Sequence, residues 1–594
     1  MSTTTETGRP GYNRFLLLVA GLGGLLYGID VGIISGALPY LQATFTLPDG
    51  NLLSAQQTSF VVAAVLLGTI ISTLFAGALA DFCGRKSMMA MSGILFALSV
   101  PTIALAHSYD ALIFGRLLQG ISGGLIGVVV PLYLAECLPA ANRGRGTGIF
   151  QLLLVLGFVA ASLIALYFSN RVEEAARLGD PQALFAAQNN AWRSIFWVSL
   201  PPGILFAIGS FLVAESPRWL FRRGNKEAAR AGLLRSRTDE QADLEMKEME
   251  AIAAEQHRIS GAGAKFSETL LQRKYMIPFL LACVILACNQ ATGINSVIGY
   301  NTTILIQAGL GDRPAHLGST LFTIVNCLVT IIAVALVDRK GRKFLLSLGT
   351  GGVIVSAICA ALLFHKTEKL RVDVGRELQA MVTTNQTLSV SFDDQMISEL
   401  LKGKDHVGPQ TLVVIYSYGS FSGATSAARS DVTAKPVTIS REDCVETNKV
   451  VAFFKNPFAS VEEARIAPLK IDAALITPIP DTRNGWLMAL VLYAYMAFFA
   501  VGPGVCVWLA LSELMPTRIR SNGMSFALVL NQAVATFIAA VFLPTVGKYG
   551  YATMFFIFAG CTVVYFITAA FFLPETKGKT LEEIEAHFEG RNGK

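Results

Sequence analysis

Two charges stand alone in apolar sequence. Asp30 is the only acid between Phe15 and Leu38, and Arg116 opens the apolar run Leu117 to Leu134. Ionisable side chains at membrane depth are costly and mark ion or proton pathways unless they reach the interface. A carboxylate that can take up and release a proton, with a guanidinium as counter-charge, is one chemistry such a pair supplies. A second set is uncharged: Gln151, Asn289, Gln290, Asn295, Asn326 and Asn531 are amides inside apolar runs. Each offers donors and an acceptor, which suits vicinal hydroxyls. One such amide alone reads equally well as a helix-to-helix bond worth about 0.6 kcal/mol. Six spread over both halves of the chain point to a solute site, and Trp508 adds an apolar face for the CH side of a ring.

The elements that must hold these residues are membrane helices. The chain has 594 residues, 53% hydrophobic and only 15% charged, with mean hydropathy +0.52. Soluble proteins carry about 25% charged residues. The net charge of +6 is accounted for by basic loops on one side and is no nucleic-acid signal. Nine scattered cysteines without a CxxC spacing argue against a metal site and a disulfide scaffold. No cofactor and no enzymatic constellation is expected. The N-terminus is polar, and the first apolar run lacks a small-residue cleavage site, so it reads as a retained span.

Twelve spans are predicted, six and six. The first set is Phe15–Leu38, Thr58–Ala80, Ser87–Ala106, Ala111–Cys137, Thr147–Phe168 and Ile195–Val213. The second is Met276–Ala308, Leu317–Val337, Phe344–Phe364, Trp486–Leu514, Met524–Val546 and Thr553–Leu573. The expected domains are an N-terminal half (1–214), a helical linker (215–274), the first part of the C-terminal half (275–364), an insertion (365–483) and the rest with its tail (484–594). The linker is dense in Ala, Glu, Lys and Arg over Asn225–His257 and reads as one or two amphipathic helices. The insertion contains strand-like pieces, Thr411–Tyr418 and Val450–Phe454. His365, His406 and Cys444 are too dispersed in it to be ligands.

Arg85, Lys86, Arg143, Arg145, Arg339, Lys340, Arg342, Lys343, Arg518 and Arg520 fall on one side, which the positive-inside rule makes cytoplasmic. Both termini and the linker share that side, the insertion faces outside, and Asn385-Gln-Thr is an outward sequon. The halves also repeat. Asp81-Phe-Cys-Gly-Arg-Lys86 follows the second span, and Asp338-Arg-Lys-Gly-Arg-Lys343 follows the eighth. Glu136 with Arg143 closes the fourth span, and Glu513 with Arg520 closes the tenth. With Glu215, these charges are candidate inner-gate salt bridges. Two related six-span halves around a central site form a transporter arrangement.

The chain resembles the sugar porters of the major facilitator superfamily. The resemblance rests on GGLLYGIDVGIISG (23–36), the paired D-x-x-G-R-K, PLYLAE…RGRG (131–146), ESPRWL (215–220), NQATGIN (289–295), GPGVCVW (502–508) with SE (512–513), and PETKG (574–578). It covers both halves and the linker but not 365–483. It implies an all-α membrane protein of twelve helices in two pseudo-symmetric halves. The implied activity is monosaccharide transport by alternating access. Gln151, Gln290, Asn295, Asn326, Trp508 and Asn531 match sugar-binding positions, while Asn289 replaces a Gln and Gln532 stands where many members have Trp.

Counted from Arg14, Asp30 lies sixteen residues in, roughly 24 Å. Counted from Glu136, Arg116 lies twenty, roughly 30 Å. The two can meet if the first and fourth spans are neighbours, as the resemblance implies. The family's proton symporters carry this Asp and this Arg, so the pair is the expected proton-coupling site. The reading is a monosaccharide:proton symporter of the inner or plasma membrane, acting as a monomer in the bilayer. An uncoupled facilitator and a non-translocating sugar sensor are the alternatives.

Overall fold

The computed structural model describes residues 10–47, 51–138, 140–261, 273–401, 408–425, 427–430, 436–445, 461–507, 514 and 520–575. Among these, 11 helices are long and apolar enough to cross a membrane. The last, Arg520–Ile567, is two spans in one, because Gly550 breaks it with φ 91°. Dividing it there gives the twelve-helix fold. In the N-terminal half the first span (Pro10–Thr44) lies along the fifth (Ala140–Arg177). The fourth (Tyr109–Cys137) lies between the second (Ala55–Cys83) and the third (Arg85–Ala104). Glycine makes these approaches possible: a methyl group on Gly28 would collide with the Leu154 carbonyl, and one on Gly120 with that of Val65.

Four spans depart from their expected course. The fifth runs to Arg177, and the sixth starts at Pro181 as two helices, Pro181–Trp197 and Leu200–Leu212. The Asp180 side chain caps the new start by accepting from Gln182 N at 2.9 Å, so helix extends through a polar stretch that hydropathy alone excludes. The seventh is not continuous. It divides into Arg273–Ala291, Ile294–Gly299 and Asn301–Gln307. Gly293 turns the chain at φ 86°, where a side chain would also strike the Phe558 ring. The tenth, Thr482–Phe499, continues as a π-helical turn, Ala500–Gly504, that contains Gly502-Pro503-Gly504.

Three inter-span junctions share one device. Gly84, Gly341 and Gly550 have φ of 94°, 88° and 91°, and each joins two consecutive spans. After each glycine, two backbone N–H groups point at one carboxylate from elsewhere in the chain. Glu215 accepts from Arg85 N (3.0 Å) and Lys86 N (3.1 Å). Glu575 accepts from Arg342 N and Lys343 N, both at 3.1 Å. Glu368 accepts from Tyr551 N (2.7 Å) and Ala552 N (3.4 Å). Each acid neutralises the positive end of a helix and supplies partners that its first turn lacks.

The linker forms Pro217–Arg222, Lys226–Leu234 and Asp239–Gly261. It is docked on the fourth span by buried Arg237, which donates to Cys137 O at 2.8 Å and pairs with Glu245 at 2.6 Å.

The insertion has two sheets of its own, of five and two strands, built from β1 (Val372–Asp373), β2 (Leu388–Val390), β3 (Gln410–Tyr418), β4 (Phe421–Ala424), β5 (Ala428–Arg429), β6 (Val437–Ile439) and β7 (Leu469–Pro478). The antiparallel order is β1-β7-β3-β4, with β5 also on β3 and β2 paired to β6. The expected strand at 411–418 is β3, whereas 450–454 lies outside the described residues. Leu412, Val414, Tyr416 and Tyr418 of β3 pack into the insertion's own core. Ile415 joins the core of the spans. Burial on both faces accounts for its unbroken apolar run.

The insertion is thereby seated across the ends of both halves. Gln56 donates to Ser422 O (3.1 Å) and Asn51 to Ser440 Oγ (3.3 Å) on the N-terminal side; Arg429 donates to Ile306 O (3.3 Å) on the other. Beneath it lies a cavity of about 690 Å³, lined by Tyr40, Arg313, Arg371, Thr411, Arg429 and Tyr551 among others.

Candidate transport site and its gates

The two halves are bonded together at the end that carries the insertion. Ser35 Oγ meets Thr302 Oγ1 at 3.2 Å, and Ser162 Oγ meets Thr323 Oγ1 at 2.8 Å. Tyr40 donates to Asp312 Oδ2 at 2.6 Å while its ring stacks on buried His316, centroids 5.3 Å apart. Leu543 N donates to Ser59 Oγ at 3.2 Å, and Arg313 pairs with Glu173 at 3.6 Å. Among the described residues, the hydrogen bonds between the halves lie on this side. Gln151, toward the opposite, basic end, is exposed. The conformation is closed at the insertion end.

The break in the seventh span gathers three of the amides. Asn295 Nδ2 donates to Gln290 Oε1 (2.8 Å), and Gln290 Nε2 donates to Asn531 Oδ1 (3.1 Å). Asn531, fully buried, donates to Leu286 O (2.9 Å). Gln290 is the centre of the chain, with one N–H and one carbonyl lone pair left for a solute. Asn289 points elsewhere: its Nδ2 donates to Pro503 O in the π-helical turn at 3.2 Å. Asn326 is not part of this group either. It accepts from Thr330 (3.3 Å) and lines a separate cavity of about 20 Å³ with Ser162, Thr323 and His316. Trp508 lies outside the described residues.

Asp30 and Arg116 are both buried, 1% exposed, but they do not form the direct ion pair that their expected levels allow. The guanidinium donates to Val61 O (3.3 Å) and Gln119 Oε1 (2.6 Å), and it sits 5.8 Å from the Phe196 ring centroid. Neither Asp30 oxygen has a hydrogen-bond partner. Asp30 lies against Gly123 instead, where an added Cβ would be 2.9 Å from Oδ2. Gly123 is two helical turns from Arg116, so the carboxylate lies deeper along the fourth span than counting from the chain ends implies.

The gate charges of the N-terminal half are joined within that half. Arg85, 2% exposed, holds Glu136 with Nε (2.9 Å) and Nη2 (3.0 Å), and holds Asp81 at 2.7 Å. Ser216 of the linker donates to Glu136, beside the Glu215 cap. In the C-terminal half, Arg342 donates to Val337 O at 3.4 Å and carries the Glu575 cap on its backbone. Glu513 and the side chains of Arg143, Asp338 and Arg520 lie outside the described residues.

Residues 16–382 and 472–588 match the family described as Sugar (and other) transporter. The chain belongs to that family. The unmatched stretch falls within the insertion. The glucose transporter GlcP of Staphylococcus epidermidis is 27% identical over 586 residues, 98% of each chain. The human proton myo-inositol cotransporter is 27% identical over 591 residues, 98% of this chain and 83% of its own. Among solved structures, the inward-open xylose transporter XylE of E. coli has a TM-score of 0.62 at 21% identity, covering 96% of this chain and 98% of that one. At that identity the likeness speaks for the fold. This sugar transporter is accordingly a multi-pass membrane protein and not an enzyme.

Several residues that hold the sugar transporter's junctions and candidate site together escaped the sequence reading. Glu575 is the acid of PETKG and repeats the role of Glu215 in ESPRWL, a symmetry that comparing the two motifs would have exposed. Gln119 stands three residues after Arg116, the helical spacing at which side chains touch. Tyr40, Asp312 and His316 carry no sequence signal, because they meet only when the halves close.

Proposed function

We propose that this protein is a sugar:proton symporter that moves a hexose or pentose across the cytoplasmic membrane by alternating access. The basic loops face the cytoplasm and the insertion faces outside. Asp30 carries the reading. It is a buried carboxylate in a transport helix with no hydrogen-bond partner, and a group of that kind is a default candidate for proton traffic. In this reading the sugar binds between the halves, with Gln290 at the centre of its C-terminal contacts and Asn295 beside it. The state described here, sealed at the insertion end, is the one that releases sugar inward. Asp30 loads a proton when the outside is open and gives it up when the inside is open. The names of relatives that include proton cotransport agree with this. One protomer contains every residue that the cycle uses.

The test is flux in proteoliposomes under an imposed pH gradient. Concentrative sugar uptake with simultaneous proton influx is the expected outcome. Downhill flux that ignores the gradient would make the protein a facilitator, and binding without any flux would make it a sensor.

A further inference from the structure

One polar side chain beside the coupling pair has no role in that account. Gln119 is fully buried. Its Oε1 accepts from Arg116 Nη1 at 2.6 Å, yet its Nε2 has no partner. The two Asp30 oxygens have none either. The fourth span thus carries an unused buried donor and the first span an unused buried acceptor, whereas folded proteins pair such groups almost without exception. The spacing puts them in line. Arg116, Gln119 and Gly123 fall at i, i+3 and i+7, on one helix face. Gly123 marks the level of Asp30, since a Cβ there would lie 2.9 Å from Oδ2. Arg116 to Gly123 is roughly 10 Å along the axis, and Gln119 occupies the interval.

The surroundings leave few other candidates. Among the described residues, Arg116 and Tyr27 are the charged or titratable groups that interact with Asp30. The fifth span faces this part of the first with Leu154, Gly157, Phe158 and Ala161, none of them titratable.

We propose that Gln119 is the positioning residue that carries the protonation state of Asp30 to Arg116. This rests on the symport reading above. An ionised carboxylate only accepts hydrogen bonds, so it takes the Gln119 N–H and leaves Gln119 Oε1 on Arg116. A protonated carboxyl also donates. Its O–H competes with Arg116 for Gln119 Oε1, and the amide turns. The guanidinium then loses its strongest partner while staying on Val61 of the second span. One proton on the first span thereby alters how the fourth span holds the second, with no direct Asp–Arg contact.

The test uses Gln119→Met, which removes both ends of the amide, and Gln119→Glu, which keeps an acceptor for Arg116 but has no N–H. Proton influx per labelled sugar is measured with a pH dye in proteoliposomes, alongside counterflow. Both variants should lower sugar accumulation at a fixed pH gradient by about ten-fold or more, with counterflow within about three-fold of wild type. A wild-type proton:sugar ratio in Gln119→Met overturns the proposal and leaves symport standing. If wild type itself moves no protons with sugar, the symport reading fails and this proposal with it. A measurement on the unmodified sequence guards against poor folding of the variants. With side-chain carbonyl-labelled glutamine, an acid–base step should give an infrared amide shift in wild type that Asp30→Asn lacks. Identical spectra in the two also overturn the proposal.

Discussion

Gln290→Ala tests the proposed sugar site most directly. Gln290 is bonded at both ends, through Nε2 to Asn531 (3.1 Å) and through Oε1 from Asn295 (2.8 Å). One N–H and one lone pair remain for a sugar hydroxyl. Truncation to Ala removes both of those contacts and frees Asn295 to reorient. Two net hydrogen bonds at about 0.5–1.5 kcal/mol each give a loss of about 1–3 kcal/mol. That converts to a roughly 5- to 150-fold rise in Kd. Asn531→Ala should cost less, because fully buried Asn531 spends its donor on Leu286 O (2.9 Å) and acts on the sugar only through Gln290. Asn289→Ala should barely move affinity, since its amide is turned to Pro503 O. The assay is equilibrium binding of labelled monosaccharides to purified protein, checked by counterflow KM. Unchanged affinity in Gln290→Ala, or a larger loss in Asn289→Ala, would refute the placement of the site.

Asp30→Asn keeps size and polarity but cannot carry a proton; accumulation driven by a pH gradient should vanish while counterflow continues, and concentrative uptake in this variant would remove Asp30 from the mechanism. Glu136→Gln leaves buried Arg85 without its main counter-charge and should cost about 3–5 kcal/mol, read as a fall in thermal unfolding temperature. Asp81, whose side chain is 63% exposed in its contact with Arg85, should cost under about 1 kcal/mol when replaced by Ala; equal effects at the two positions would contradict the burial argument. Replacing Val372–Ile479 with a short Gly/Ser linker should preserve sugar binding and flux, provided Glu368 and Asp481 are kept: Glu368 caps the Gly550 junction and Asp481 accepts from Asn484 N at 3.0 Å. Loss of flux in a correctly inserted deletion protein would show that the insertion belongs to the transport cycle.

Span number, the repeated halves and the linker were legible in the sequence because hydropathy and charge act locally and leave a residue-by-residue trace. The amides were legible as residue types in apolar surroundings, but their directions were not. Asn289 and Gln290 are adjacent, and only the turn at Gly502–Gly504 and the break at Gly293 decide which one faces the site. The level of Asp30 was misjudged for a related reason. Counting from Arg14 and Glu136 assumes that two helices start in one plane, and their offset moves Asp30 from Arg116 toward Gly123. Gln119 was passed over within a glycine-rich helix face, although its spacing from Arg116 was there to be read.

The insertion touches both halves, with unequal ties. It is covalently part of the C-terminal half, and its β3 packs against the helix Arg520–Ile567 of that half, while Gln56 and Asn51 bond it to the other through two side-chain hydrogen bonds. In the proposed cycle the halves part at this end, and the insertion, carried with the C-terminal half, lets go of those two. Every turnover therefore includes an unclasping event on an aqueous surface, away from both sugar and proton. An antibody fragment that stapled Ser422 to the start of the second span at Gln56 would hold the proposed cycle in the state seen here without entering the pore. In the proposed cycle outside sugar binds the state with this end open, so sugar and blocker would oppose each other through the conformational equilibrium without sharing a site.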